Sequence, residues 1–197
     1  MVKPRLVTGV GVGLTPPVVA AVRRSPEWLL VPIGVFAVVA LLAGFLAAHD
    51  ARTGGYFDLF FSDPIHLKSW FATAAVVLGL FQLFTAAWIF RKLPWRKPSW
   101  VNPVHRWSGR LAFVAILPVA YHCIFKLGFA SNDDRVLVHS VFGCFVFGAF
   151  AAKVTIVRLR RFPTLVLPLA GGFLFTTLVV VWWTSARWFF GQVGWGI

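Results

Sequence analysis

The sequence predicts an all-α membrane protein, a polytopic bundle of five transmembrane helices, on three observations. It is 59% hydrophobic, with ten Trp, twenty-one Phe and only six acidic residues in 197. A soluble domain of this size has no interior large enough to bury so much apolar surface. Its apolar runs are long enough to cross about 30 Å of hydrocarbon, which takes roughly twenty helical residues. Its cations fall in clusters between those runs. That is the pattern of membrane topology, and it argues against nucleic-acid binding despite a net charge of +13.

The runs lie near 28–48, 66–90, 107–127, 135–157 and 164–186. None alternates as barrel strands do. Residues 1–27 read as a cytoplasmic N-terminal segment, 28–190 as the transmembrane domain and 191–197 as a short external tail. Residues 6–22 are apolar enough to suggest a cleaved leader, but Pro16-Pro17 interrupts them and Arg23 and Arg24 follow directly. Span two opens on Asp63-Pro64, a cap followed by proline at the first helical position. Asn132, Asp133 and Asp134 offer caps for span four. Gln82 is the one deep polar residue of span two, and an amide at that depth is expected to bond across helices.

The connections set the orientation. Lys3, Arg5, Arg23 and Arg24 precede span one. Arg91, Lys92, Arg96, Lys97, Arg106 and Arg110 surround the second connection, and Lys153, Arg158, Arg160 and Arg161 the fourth. The opposite side carries Arg52, Lys68, Lys126, Arg135 and Arg187 together with Asp50, Asp58, Asp63, Asp133 and Asp134. The more basic side is expected in the cytoplasm. That puts the N-terminus inside and the C-terminus outside a multi-pass protein of the cell's inner (plasma) membrane. Trp88, Trp95, Trp100 and Trp107 gather at the inner edge, and Trp70, Trp182, Trp183 and Trp188 lie toward the outer one, as interfacial aromatics do.

All five histidines, His49, His66, His105, His122 and His139, stand at span edges. Ionisable groups there are costly and tend to be functional. His105 is on the inner side. It lies 17 residues from His122, about 25 Å of helix, so the two cannot share one centre. His122 and His139 lie nine and eight residues from the middle of their hairpin, a depth match within about 2 Å. His66 is slightly shallower. Three helices thus bring a histidine to one outer-leaflet layer. Lys126 follows His122 by four and Arg135 precedes His139 by four, which sets a cation one turn nearer water above each. Imidazoles for iron, with cations where propionates would point, are what an upright haem in a helical bundle requires. Ser140, Gly143, Gly148 and Ala149 are small enough to leave room for a macrocycle. The plain alternative is that these side chains snorkel to the headgroups. Zinc is disfavoured, because no close Cys/His spacing occurs. Cys123 and Cys144 differ in depth by about 7.5 Å, which argues against a disulfide between them.

HRWSGRLA, then YHC, then VHSVFGCFVFGAFAAK resemble the cytochrome b561-like family of membrane electron carriers over roughly residues 66–157. The resemblance implies a helical bundle around non-covalent haem b, held by histidine pairs on alternate helices, and electron transfer to or from a quinone or a redox partner protein. That family typically holds one haem in each leaflet. Here His105 is the sole inner histidine, so the resemblance carries over one haem, in the outer leaflet. No CxxCH motif for covalent attachment occurs. Spans three and four share a short loop and are expected to pack directly, 8–10 Å apart, too close for two imidazoles with iron between them. The expected order of ligand pairs is therefore His66–His139, then His66–His122, then His122–His139. Either way the expected metal ligands are drawn from His66, His122 and His139, with Lys126 and Arg135 as cofactor contacts. The rival is a non-redox membrane subunit, a scaffold or assembly partner.

Overall fold

The computed structural model describes residues 26–195 other than Thr53. The leader question at residues 6–22, and most of the N-terminal segment, lie outside the described residues. A 3₁₀ turn, Pro26–Leu29, leads into α1 (Leu30–His49). α2 is Pro64–Ile89 and α4 is Asp134–Leu159. α3 (Val101–Ala120) runs on as a π-helical segment, Tyr121–Leu127. α5 (Val166–Trp182) likewise continues through a π-helical segment, Trp183–Arg187, into α6 (Trp188–Val193). These make five continuous apolar helices, Glu27–His49, Pro64–Ile89, Val101–Leu127, Asp134–Leu159 and Val166–Val193, each long enough to span a bilayer. The chain is a multi-pass, all-helical membrane protein.

Local chemistry sets the boundaries. The Asp63 carboxylate accepts the backbone N–H groups of Ile65 and His66 at 2.6 and 2.9 Å, with Pro64 in the first turn. Asp133 caps α4 through Val136 N at 2.9 Å. The third span begins six residues before the expected 107. Pro103 sits in its first turn, where a missing N–H costs nothing. His105 is thereby inside a helix and not at its edge. The fifth span also outlasts its expected end, because the π segment carries the helix past residue 186 to Val193.

The packing order is α3, α2, α5, α4, α1, with each helix lying along the next. The π-helical end of the third span touches α1 and closes the ring at the end that carries the acidic loops. α3 does not lie along α4, which corrects the expectation that spans three and four pack directly. The reason is the path of their connection, which crosses over the end of α1. Phe129 N donates to Ala47 O at 3.0 Å and Arg52 N to Phe125 O at 2.8 Å. Gly128 makes the crossing with φ of 75°, where a Cβ would fall 2.8 Å from Ala47 O. Only glycine accepts both that backbone and that approach.

α1 and α4 meet through small residues. Ala40, Ala43 and Ala47 are buried on α1, and Gly148 and Ala149 on α4. A Cβ on Gly148 would lie 2.6 Å from Phe36 O. Without a hydrophobic drive between helices in lipid, such close approach is what supplies packing energy. Gly148 and Ala149 therefore serve this seam and are not the macrocycle space the sequence suggested. Gly143, with nothing within 4 Å of its would-be Cβ, does border open space.

Reporter fusions test which end faces the cytoplasm. Fusions after Trp95 and Phe162 are expected to read cytoplasmic, and fusions after Thr53 and Ile197 external. An external signal at Trp95 reverses every assignment of side.

Candidate functional site

The site is built at the acidic-loop end of the ring. His122 is fully buried in the π segment of span three. Its Nδ1 donates to Pro118 O at 2.8 Å. A carbonyl can only accept, so the ring is the Nδ1–H tautomer and Nε2 is an acceptor. Nε2 takes one long hydrogen bond, 3.3 Å, from Phe57 N. The rings of Phe57, Tyr56 and Tyr121 surround the imidazole at 4.5, 6.1 and 5.3 Å. Two of these come from the connection after α1, a loop the sequence does not mark as part of the site.

His139 projects from α4 toward span five. Its Nδ1 lies 3.3 Å from Thr184 Oγ1, whose own hydrogen goes to Val180 O at 2.8 Å. The threonine oxygen therefore accepts, and His139 is also the Nδ1–H tautomer with Nε2 as acceptor. Thr184 stands in the second π segment. π-Helix accounts for well under 1% of residues in globular proteins and concentrates at functional sites. Here both π segments fall at one end of the bundle, one holding His122 and the other holding the partner of His139. Pro118 inside the third span frees a backbone acceptor near the first of them.

The other expected residues stand apart. His66 Nδ1 binds Asp63 Oδ2 at 2.6 Å, and its ring meets Phe189 edge-on at 4.9 Å, at the rim of the bundle. Burial pushes the Asp63 carboxyl up, but the hydrogen bonds from His66 and Ile65 outweigh this and hold it below its ordinary value. Arg135 donates to Thr184 O at 2.8 Å and stacks over the Trp188 ring at 4.0 Å. Lys126 sits 5.2 Å from the Tyr121 ring. Both cations cover the acidic-loop end. Among the described residues no three His, Cys, Asp or Glu side chains are placed to hold one metal ion. Among the described residues the three histidines expected in one layer thus do not form a metal cluster.

Two cavities border the site. A cleft of about 330 Å³ is lined by Tyr56, Asp63, Pro64, Ile65, Lys68, His122 and Leu127. A smaller void of about 50 Å³ lies between α1, the third span and α4, against Cys123, His139, Ser140, Gly143 and Cys144 among others. Lys68 lies within electrostatic reach of both Cys123 and His139 and also lines the cleft with His122. It is the one cation among the residues lining the cleft, and pattern reading from span edges passed it over. Cys123 and Cys144 are free thiols. His49 is exposed, held to Phe45 O at 2.9 Å.

At the opposite end His105 faces α2. Its Nδ1 pairs with Thr85 Oγ1 at 2.7 Å. Gln82 crosses between helices, as expected, donating to Ser108 Oγ at 2.6 Å and to His105 O.

No curated protein and no solved structure matches the chain. A family model, described as a family of unknown function (DUF6529), matches residues 27–197. That match takes in all five spanning helices and both ends of the ring, and the chain belongs to the DUF6529 family.

Proposed function

We propose that this protein is a membrane b-type electron carrier that binds one non-covalent haem at the acidic-loop end, in the outer leaflet. His122 and His139 would hold the iron, and the haem would supply one-electron transfer to or from a quinone or an outer-face redox partner. One observation carries the reading: His122 and His139 stand at the same end of the bundle on helices that do not pack along each other. Each has its Nδ1 fixed; His139 Nε2 is left as an acceptor, and His122 Nε2 would exchange its long bond from Phe57 N for the iron. A ligating histidine is held in this way, its second nitrogen anchored to a carbonyl or hydroxyl that orients the ring. The donor chemistry therefore fits a bis-histidine haem.

The objection to the His122–His139 pair was direct packing of spans three and four. That objection falls with the ring order, and this pair moves ahead of His66–His139 and His66–His122. His66 is committed to Asp63 and Phe189 at the rim. Lys68 joins Lys126 and Arg135 as a cation for propionates, and it alone lines the cleft beside His122. When bound, the haem supplies one-electron chemistry whose potential depends on axial ligands and burial. The chain's part is to orient the imidazoles, exclude water with Tyr56, Phe57 and Tyr121, and neutralise carboxylates. The likeness of HRWSGRLA, YHC and VHSVFG to the cytochrome b561-like family points the same way.

The test is spectral. Protein purified from cells supplied with haem precursor should show a Soret band, a sharp α-band on reduction and one haem per chain by pyridine haemochrome. Lys68→Gln should shift the midpoint potential or loosen the haem more than the exposed-rim pair Lys126→Gln/Arg135→Gln, since rim charges are worth about 1 kcal/mol or less. A folded, monodisperse and colourless protein would leave the scaffold reading in its place.

A further inference from the structure

The basic end of the ring holds a second arrangement that the haem does not use. α3 lies along α2 but not along α1 or α4, so at the basic end the space between α3 and those two helices is not closed by helix-on-helix packing. The gap has an apolar ceiling, where Phe113 of α3 stacks on Phe150 of α4 with centroids 4.5 Å apart. Toward the basic end from that stack, Lys153 lies one turn beyond Phe150 and His105 two turns beyond Phe113. The two are within electrostatic range of each other across the gap. Lys153 is half-buried and makes no ion pair among the described residues. In the sequence the only acid at this end is Glu27. A lysine about 9 Å from its helix end, in lipid and with no carboxylate, is expensive unless an anion meets it.

His105 completes the chemistry. Thr85 Oγ1 donates to Phe81 O at 2.9 Å, so it accepts from His105 Nδ1. His105 Nε2 is left as an acceptor for a hydroxyl. Arg106 and Arg110 on the same part of α3 are exposed, with Arg110 over the Trp107 ring at 4.7 Å.

We infer that the gap between α3 and the α1–α4 pair is a binding site for an anionic phospholipid, with its phosphate on Lys153 and a headgroup hydroxyl on His105. The acyl chains leave sideways between α3 and α1, under the Phe113–Phe150 stack. Basic pockets between membrane helices on the cytoplasmic side hold acidic headgroups in this way. A lipid is favoured over a soluble anion because Lys153 and His105 both stand within membrane-spanning helices, beside the aromatic Phe113–Phe150 stack.

Native mass spectrometry of the full chain, loaded with phosphatidylglycerol or with phosphatidylcholine, tests the site. Wild type should retain phosphatidylglycerol at least about fivefold better than phosphatidylcholine, and Lys153→Gln should erase that preference, since one membrane-surface lysine is worth about this factor. Arg158→Gln removes the same charge from the exposed end of α4 and should change little. Lys153→Arg should keep the preference, so the result does not rest on one variant that fails to fold. Equal retention of both lipids by wild type overturns the site. An equal loss in Arg158→Gln also overturns it, because the effect is then general charge. Displacement of phosphatidylglycerol by millimolar inorganic phosphate overturns the lipid assignment and makes the occupant a free anion.

Discussion

His122→Ala and His139→Ala should each destroy the low-spin haem spectrum, either by emptying the site or by leaving a five-coordinate, high-spin iron. Bis-histidine ligation needs both side chains, and neither has a substitute within its own helix layer. His66→Ala should leave the bands in place, because its imidazole belongs to Asp63 and Phe189 at the rim. His105→Ala should do so as well, because 17 residues of the same helix separate it from His122, about 25 Å. Thr184→Val removes the acceptor that orients His139 and should loosen haem by about tenfold while preserving the bis-histidine bands. The reading fails if His66→Ala abolishes the spectrum while His122→Ala does not. The iron is then bridged between α2 and α4, and the ring order is not what selects the ligands.

Gly148→Leu should be the most damaging single substitution outside the histidines. Even a Cβ there meets Phe36 O at 2.6 Å and Ala40 Cβ at 3.1 Å. Backbone cannot step aside as a flexible side chain can. Overpacking a tight site costs about 1–3 kcal/mol and more where backbone must move. The seam between α1 and α4 should part, and the protein should lose its monodisperse peak in detergent at temperatures the wild type survives. Gly171→Ala, with nothing within 4 Å, is the matched control and should be neutral or mildly stabilising. Equal thermal survival of Gly148→Leu and wild type would mean that α1 does not lie against α4 as described.

Much of this protein is legible in its sequence, for a physical reason: a bilayer imposes its own length scale. Twenty apolar residues must be a helix, since unpaired backbone groups are not tolerated in hydrocarbon. All five spans therefore follow from composition alone. Asp63-Pro64 and Asp133 mark their helix starts because capping is local chemistry. The depth of each histidine follows from counting residues at 1.5 Å apiece. The sequence puts His105 at a span edge, whereas the helix starts at Val101 with Pro103 in its first turn, where proline is harmless.

What the sequence left open is which faces meet, since apolar side chains in lipid give no amphipathic signal to orient a helix. The tertiary structure decided that through a few contacts far apart in the chain. Gly128 and Phe129 cross over Ala47, and this lodges the end of α1 between the third and fourth spans. Gly148 locks onto Phe36 O, which turns an apparent gap-maker into a seam. The two π segments bring His122 against Phe57 and Thr184 against His139. Lys68, unremarkable in sequence, is the cation that lines the cleft with His122. Depth is a one-dimensional property and is written along the chain. Adjacency around the ring is set by which backbones can approach most closely, and no count along the chain contains it.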